Sequence, residues 1–322
     1  MRTARLKVVG QTAVYHCITR VVGGAMLLDR RAKEVLRKQI RYMADFCGVE
    51  VLTFAIMTNH FHVLVRIPEM AVVADEELIR RFSLLYSADR GKVETLRSLL
   101  KKGGDDAEVE RQRLLARMSD VSLFMKELKQ RFTIWYNRSH KRYGTLWAER
   151  FKSVLIEDTA VCLRSVAAYI DLNPVRAGLT EDPKDYRFCG YAEAVSGSVD
   201  ARTGISKVLH EKTPRMALAE YRKILFLMGS TTSRESQKSM DREAVKRVVE
   251  ADGELPLAQV LRLRVRYFTD GVVLGSADYV NQVFQANREL FGKTRKSGAR
   301  PLRGLNEPGL MAIRDLRKNV FT

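Results

Sequence analysis

His60 and His62 flank Phe61 inside residues 53–66, a run of strand-forming residues broken by a turn at Thr58-Asn59. Successive strand side chains point to opposite faces, so the two imidazoles share one face and Phe61 takes the other. Two imidazoles on one rigid strand can ligate one divalent metal, leaving positions for a further side chain, water and substrate. The same spacing also suits two ordinary half-buried histidines, so spacing by itself does not decide. A second stretch, residues 167–178, carries Tyr169 and Asn173. Ser165, Tyr169 and Asn173 lie four apart, on a helical face separate from Leu163, Val166, Ala167 and Ile170. Pro174 disfavours helical geometry at Asn173. The helix should therefore end there, with Tyr169 in its last turn, its hydroxyl free to leave the core, and Asn173 able to reach whatever Tyr169 reaches. A phenol, with a pKa near ~10, is a poor nucleophile at neutral pH unless activated. A Lewis acid held on neutral histidines could supply such activation.

The elements that must hold these groups can be placed along the chain. Residues 11–20 are rich in strand formers, and His16 within them reads as a packed or hydrogen-bonded core histidine. Asp29 can cap a helix to about Phe46, with Leu36, Ile40 and Met43 on one side and Gly48 ending it. Strands over 49–57 and 62–67 follow, antiparallel because their turn is short. Residues 68–121 are helical and highly charged, broken at Gly103-Gly104, and read as a lid or spacer without ligand clusters. A helix over 121–136 has Phe124, Leu128, Phe132 and Trp135 at helical spacing. Residues 152–156 form a fourth strand, and Asp158 can cap a helix over 159–172. The order strand-helix-strand-strand-helix-strand-helix points to an α+β fold, a ferredoxin-like antiparallel sheet with helices on one face. This core should occupy residues 1–195, with a helical insertion at about 70–120. Ser196-Gly197-Ser198 marks a boundary to a basic, mainly helical region at 196–322. Helices are expected there at 215–227, 241–251, 256–268 and 278–291. Residues 271–280 resemble a turn into a second helix of a helix-turn-helix-like DNA reader, and residues 293–300 form a basic loop or arm.

The chain has 322 residues and a formal net charge of +18, and is 46% hydrophobic. Such an excess favours a polyanionic partner, most simply nucleic acid. From Ala201 onward 23 lysines and arginines face 13 aspartates and glutamates, a net of +10. Candidate phosphate contacts are Arg131 and Arg138 on and after the 121–136 helix, then Arg150, Lys152 and Arg176. Trp135, Tyr136, Tyr143 and Trp147 beside these cations suit base stacking as well as a core. Cys17, Cys47, Cys162 and Cys189 form no C-x-x-C pair and read as buried thiols in a reducing compartment. No signal peptide or membrane span is evident, so a cytoplasmic, nucleoid-associated protein is expected.

Four ordered blocks are Tyr15-His16-Cys17-Ile18-Thr19-Arg20, residues 57–65 around His60-Phe61-His62, residues 144–155, and residues 169–178 from Tyr169 to Gly178. Together they resemble the HUH single-tyrosine transposases (insertion-sequence-200-like), and among these the REP-associated tyrosine transposases. The resemblance covers roughly residues 9–191, with an unusually long segment between the third strand and the Phe124 helix. It implies His60 and His62 as metal ligands, Tyr169 as nucleophile, and Asn173 as the side chain that completes the metal site. Hard oxygen ligands around the imidazoles favour Mg2+ or Mn2+. It further implies cleavage of single-stranded or hairpin DNA, with tyrosine joined to the 5′ phosphate, a free 3′ hydroxyl, and no energy cofactor. Relatives act as monomers or as homodimers. Two other classes share the scaffold: a catalytically retired nucleic-acid-binding protein, against which the intact His60, His62 and Tyr169 set speaks, and an origin-nicking HUH endonuclease. The short single-tyrosine helix and Asn173-Pro174-Val175-Arg176 favour the transposase. A zinc hydrolase would need a carboxylate base near the histidines, and none stands beside them in sequence.

Overall fold

A computed structural model describes residues 6–8, 10–69, 71–86, 89–211, 213–229, 272–292, 295–301 and 310–313. Its centre is strand β1 (Ala13–Arg20), whose residues are buried except the last. β1 pairs antiparallel with β3 (His60–Ile67) on one side and β4 (Lys152–Ile156) on the other, and β2 (Glu50–Ile56) pairs antiparallel with β3. The antiparallel core expected from the strand order is therefore present. Beyond β4 the sheet continues through β5 (Val273–Gly275), β7 (Met311–Ile313) and β6 (Arg300–Pro301), giving the order β2-β3-β1-β4-β5-β7-β6. β5 runs parallel to β4, so the complete sheet is mixed and the class is α+β.

Helices cover both faces of this sheet, not the single face expected. The reason lies in the central strands, which are apolar on both sides and so need two covering layers. Tyr15, Cys17, Phe61, Val63 and Val65 face α1 (Arg30–Cys47) and α5 (Val121–Ser139). Val14 and Leu64 face α6 (Ala160–Asp171) on the other side. Asp29 caps α1 by accepting from the Ala32 N–H, and Gly48 ends it in a left-handed conformation at φ 65°. The charged insertion is helical, as α2 (Asp75–Leu85), α3 (Arg90–Lys102) and α4 (Asp105–Leu115). It is not detached: Leu78, Phe82, Leu96, Leu100 and Leu114 join the same core layer as α1.

α6 is capped by Thr159, which accepts from the Cys162 N–H, and not by Asp158. Asp158 is instead engaged by Arg66, at 2.6 and 2.9 Å. After α6 come the single turn α7 (Asn173–Arg176), α8 (Gly190–Val195), α9 (Val199–Leu209) and α10 (Pro214–Gly229). α9 lies against β2 so closely that a Cβ on Gly204 would strike the Leu52 carbonyl. α9 and α10 thus belong to the second layer, and β5 to β7 extend the same sheet. Residues 273–275, expected to lead into a second DNA-reading helix, are a sheet strand. α11 (Ala277–Ala286) follows and packs through Val280 and Phe284. The helices expected at 241–251 and 256–268, with Lys293 and Thr294 of the basic segment, lie outside the described residues. All four cysteines are buried free thiols.

One buried carboxylate ties α6 into this second layer. Asp171 is fully buried and accepts from the Thr53 hydroxyl, the Tyr191 N–H at 3.0 Å and the Tyr221 hydroxyl at 2.7 Å. Burial pushes its pKa up to about 6, against the lowering effect of these donors. In the unfolded chain aspartate titrates near ~3.9. Below that pH the carboxyl is neutral in both states and its stabilising contribution is complete. As pH rises from about 4 to about 6 the unfolded chain ionises first, and stability falls by about 3 kcal/mol. Denaturant midpoints measured across this window should show that decline in the wild type relative to Asp171→Asn. Parallel pH profiles for the two proteins would show that Asp171 does not titrate in this way.

Candidate active site

The register of three strands sets the site. His60 stands opposite Arg20 of β1, and His62 stands between Ile18 of β1 and Ala55 of β2. Ile18 in turn faces Lys152 of β4. His60, His62, Arg20 and Lys152 therefore occupy one face at one end of the sheet. That end is braced by loop hydrogen bonds from the Val21 N–H to the Asn59 carbonyl (2.8 Å) and from the Leu28 N–H to the Thr58 carbonyl (2.9 Å). The Asn59 amide nitrogen donates to the Gly24 carbonyl at 3.1 Å, and its Oδ1 lies 2.6 Å from His60 Nδ1.

His62 is almost fully buried, and its Nδ1 lies 2.9 Å from Nε2 of the buried His16. The two rings stack with centroids 5.1 Å apart, and the His60 and His62 rings are also 5.1 Å apart, edge to face. The reading of His16 as a hydrogen-bonded core histidine agrees with this. Its partner, the second histidine of the pair, was not visible in the sequence.

α6 delivers Tyr169 onto the same face. Its ring meets His62 edge-on at 5.9 Å and His16 at 6.1 Å. Tyr169 is only 3% exposed, so it does not stand clear of the core as its helical position suggested. The second helical layer closes over that side of α6, and the ring is packed where the histidines are. Asn173, one turn later, donates from Nδ2 to the Tyr169 and Ile170 carbonyls at 3.0 and 3.2 Å. An amide would offer a cation its Oδ1. The Arg176 guanidinium lies 5.0 Å from the Tyr169 ring centroid, and its NH1 donates to the Tyr169 carbonyl at 3.4 Å. Burial pushes the Arg176 pKa down from its ordinary value, and attraction to Tyr169 opposes this.

Both histidines of the pair are held neutral. Burial lowers His60 to about 4, helped by Arg20, and pushes His62 well below the ordinary imidazole range, helped by His16 and His60. Neutral imidazoles offer lone pairs, the form a metal requires. With Nδ1 of each ring occupied inside the protein, Nε2 is the atom each can present. Among the described residues no group of three or more His, Cys, Asp and Glu side chains is placed to hold a metal. Two neutral imidazoles joined by an amide oxygen would leave room for waters and phosphate oxygens around a hard divalent cation.

The remaining candidate cations are spread. Lys152 is exposed two strands from His62. Arg138 and Arg150 are exposed, the first at the end of α5 and the second just before β4. Arg131 points elsewhere, with its guanidinium 5.3 Å from the Tyr86 ring centroid and 3.8 Å from Glu127. Of the aromatics, Tyr136 and Trp147 are core, Trp135 packs on Phe132, and only Tyr143 is open, at 95% exposure. Arg20, beside His60, is a cation the list of candidates missed. Its signal was the i, i+2, i+4 alternation of His16, Ile18 and Arg20.

Residues 11–88 match the model of a protein family described as Transposase IS200 like. That span contains β1, α1, β2 and β3 with both histidines of the pair, and ends before Tyr169. No curated protein matches the chain. Among solved structures, one described as the REP-associated tyrosine transposase bound to a REP hairpin shares 18% identity, with a TM-score of 0.40, over 61% of this chain and 86% of that one. No helix of the described residues is long and apolar enough to cross a membrane.

Proposed function

We propose that the chain is a tyrosine transposase that cuts and rejoins single-stranded DNA at a hairpin, with Tyr169 as nucleophile and His60, His62 and Asn173 as the seat of Mg2+ or Mn2+. The observation that carries this reading is the placement of the Tyr169 ring 5.9 Å from His62, across two elements far apart in sequence. The family match over residues 11–88 supports it. A bound metal would supply Lewis-acid polarisation of the scissile phosphate.

The chain's own residues do the rest. Arg20 and Lys152 hold the phosphate over the sheet end by charge, and exposed Arg138 and Arg150 neutralise flanking phosphates. The Tyr169 oxygen attacks phosphorus, forming the O–P bond as the bond to the 3′ oxygen breaks. The phenolic proton passes to solvent, and the departing 3′ oxygen takes up a proton to become a hydroxyl. Arg176, stacked on the tyrosine ring, favours the negative charge that builds on the phenol oxygen as its proton leaves. The 5′-phosphotyrosine conserves the ester bond, so attack by another 3′ hydroxyl reverses the step and joins strands without an energy cofactor.

The test uses labelled single-stranded hairpin oligonucleotides with randomised flanks, incubated with the protein and Mn2+ and then denatured. A covalent adduct should form, and peptide mass spectrometry should place the nucleotide on Tyr169. Tight hairpin binding with no adduct under any divalent metal would instead mark a retired DNA-binding protein.

A further inference from the structure

The hydrogen bond between the two buried histidines has a direction that the geometry by itself leaves open, and that direction decides whether His62 can bind a metal. One nitrogen must donate and the other accept. His60 provides the reference. The Asn59 amide nitrogen is committed to the Gly24 carbonyl, so its oxygen faces His60 and can only accept. His60 must therefore carry its proton on Nδ1, with the Nε2 lone pair available. His62 reaches the same state only if its Nδ1–H donates to His16 Nε2. With the bond reversed, His62 Nδ1 accepts, its proton sits on Nε2, and that atom has no lone pair for a metal.

We propose that His16 is a positioning residue, whose Nε2 accepts from His62 Nδ1–H and so holds His62 in the tautomer that presents Nε2 to a divalent cation. The inference rests on the metal-site reading of His60 and His62 given above. The distance is 2.9 Å, both rings are buried, and the rings are stacked at 23° between planes. No water is needed to complete the bond, and burial denies His62 Nδ1 a competing one. His16 and Asn59 then do the same work for the two histidines from opposite sides: an acceptor behind each Nδ1 orients the ring and selects the ligating nitrogen.

Two measurements test this on the full chain. The first is long-range 1H–15N correlation of the imidazole rings in wild-type protein without metal. His62 should show a protonated Nδ1 and a bare Nε2, and His16 a bare Nε2. A bare Nδ1 on His62 would overturn the proposal. The second is Mn2+ affinity by electron paramagnetic resonance. His16→Leu, which removes the acceptor, should weaken binding by roughly 10-fold or more, the usual cost of losing such a partner. His16→Gln, whose side-chain oxygen can accept the same bond, should restore most of it. Equal Mn2+ affinity in wild type and folded His16→Leu would overturn the role of His16 while leaving the metal site intact. A wild type that binds no Mn2+ would overturn the metal-site reading itself, and this inference with it.

Discussion

Tyr169→Phe is expected to abolish the covalent protein–DNA adduct and to lower strand cleavage by ~10⁴-fold or more, the scale seen when a nucleophile is removed. Hairpin affinity should stay within about threefold, because the cations that meet phosphate are untouched. The substitution keeps the ring that packs edge-on to His62 and His16 and under Arg176, and removes only the oxygen. Loss of one hydroxyl should cost about 1 kcal/mol in stability. Gel shift, adduct formation and thermal melting on the same preparation separate these effects. Persistence of the adduct in Tyr169→Phe would move the nucleophile elsewhere, first to Tyr143, which is 95% exposed.

His60→Ala and His62→Ala are each expected to lower cleavage by about 10³-fold, as loss of a group stabilising transition-state charge does. Their effects on folding should differ. His60 is half-buried and bonds to the side chain of its neighbour Asn59, so its removal should leave the melting temperature nearly unchanged. His62 is buried against His16, and its loss removes the hydrogen-bond partner of the buried His16 Nε2, at a cost of about 1–3 kcal/mol. Mn2+ binding should weaken in both variants. Retained Mn2+ affinity and retained cleavage in either would remove that histidine from the site.

Much of the first half of the fold is legible because its signals are local. Asp29 and Gly48 bracket α1, the strand formers over residues 62–67 mark most of β3, and the run over residues 152–156 marks β4. Misreadings arose where a neighbour distant in sequence decides. Asp158 is a good capping residue, but Arg66 claims it and Thr159 caps α6. Residues 273–275 look like a turn before a helix, since three residues carry no usable period. They become a strand because β4 offers an open edge beside them.

By itself the amino-acid sequence determined that two imidazoles share a strand face, that a tyrosine and an asparagine lie one helical turn apart, and that the chain is strongly cationic. These follow from the fixed periods of strand and helix and from counting charge. Tertiary structure alone decided that Tyr169 is buried beside His62, that His16 backs His62, that Arg20 lies across from His60, and that a carboxylate at the end of the tyrosine helix is locked to α10 through Tyr221. Each of these depends on strand order, on register, or on a second helical layer closing over the sheet. Local periodicity encodes which way a side chain points, whereas long-range packing chooses what it meets.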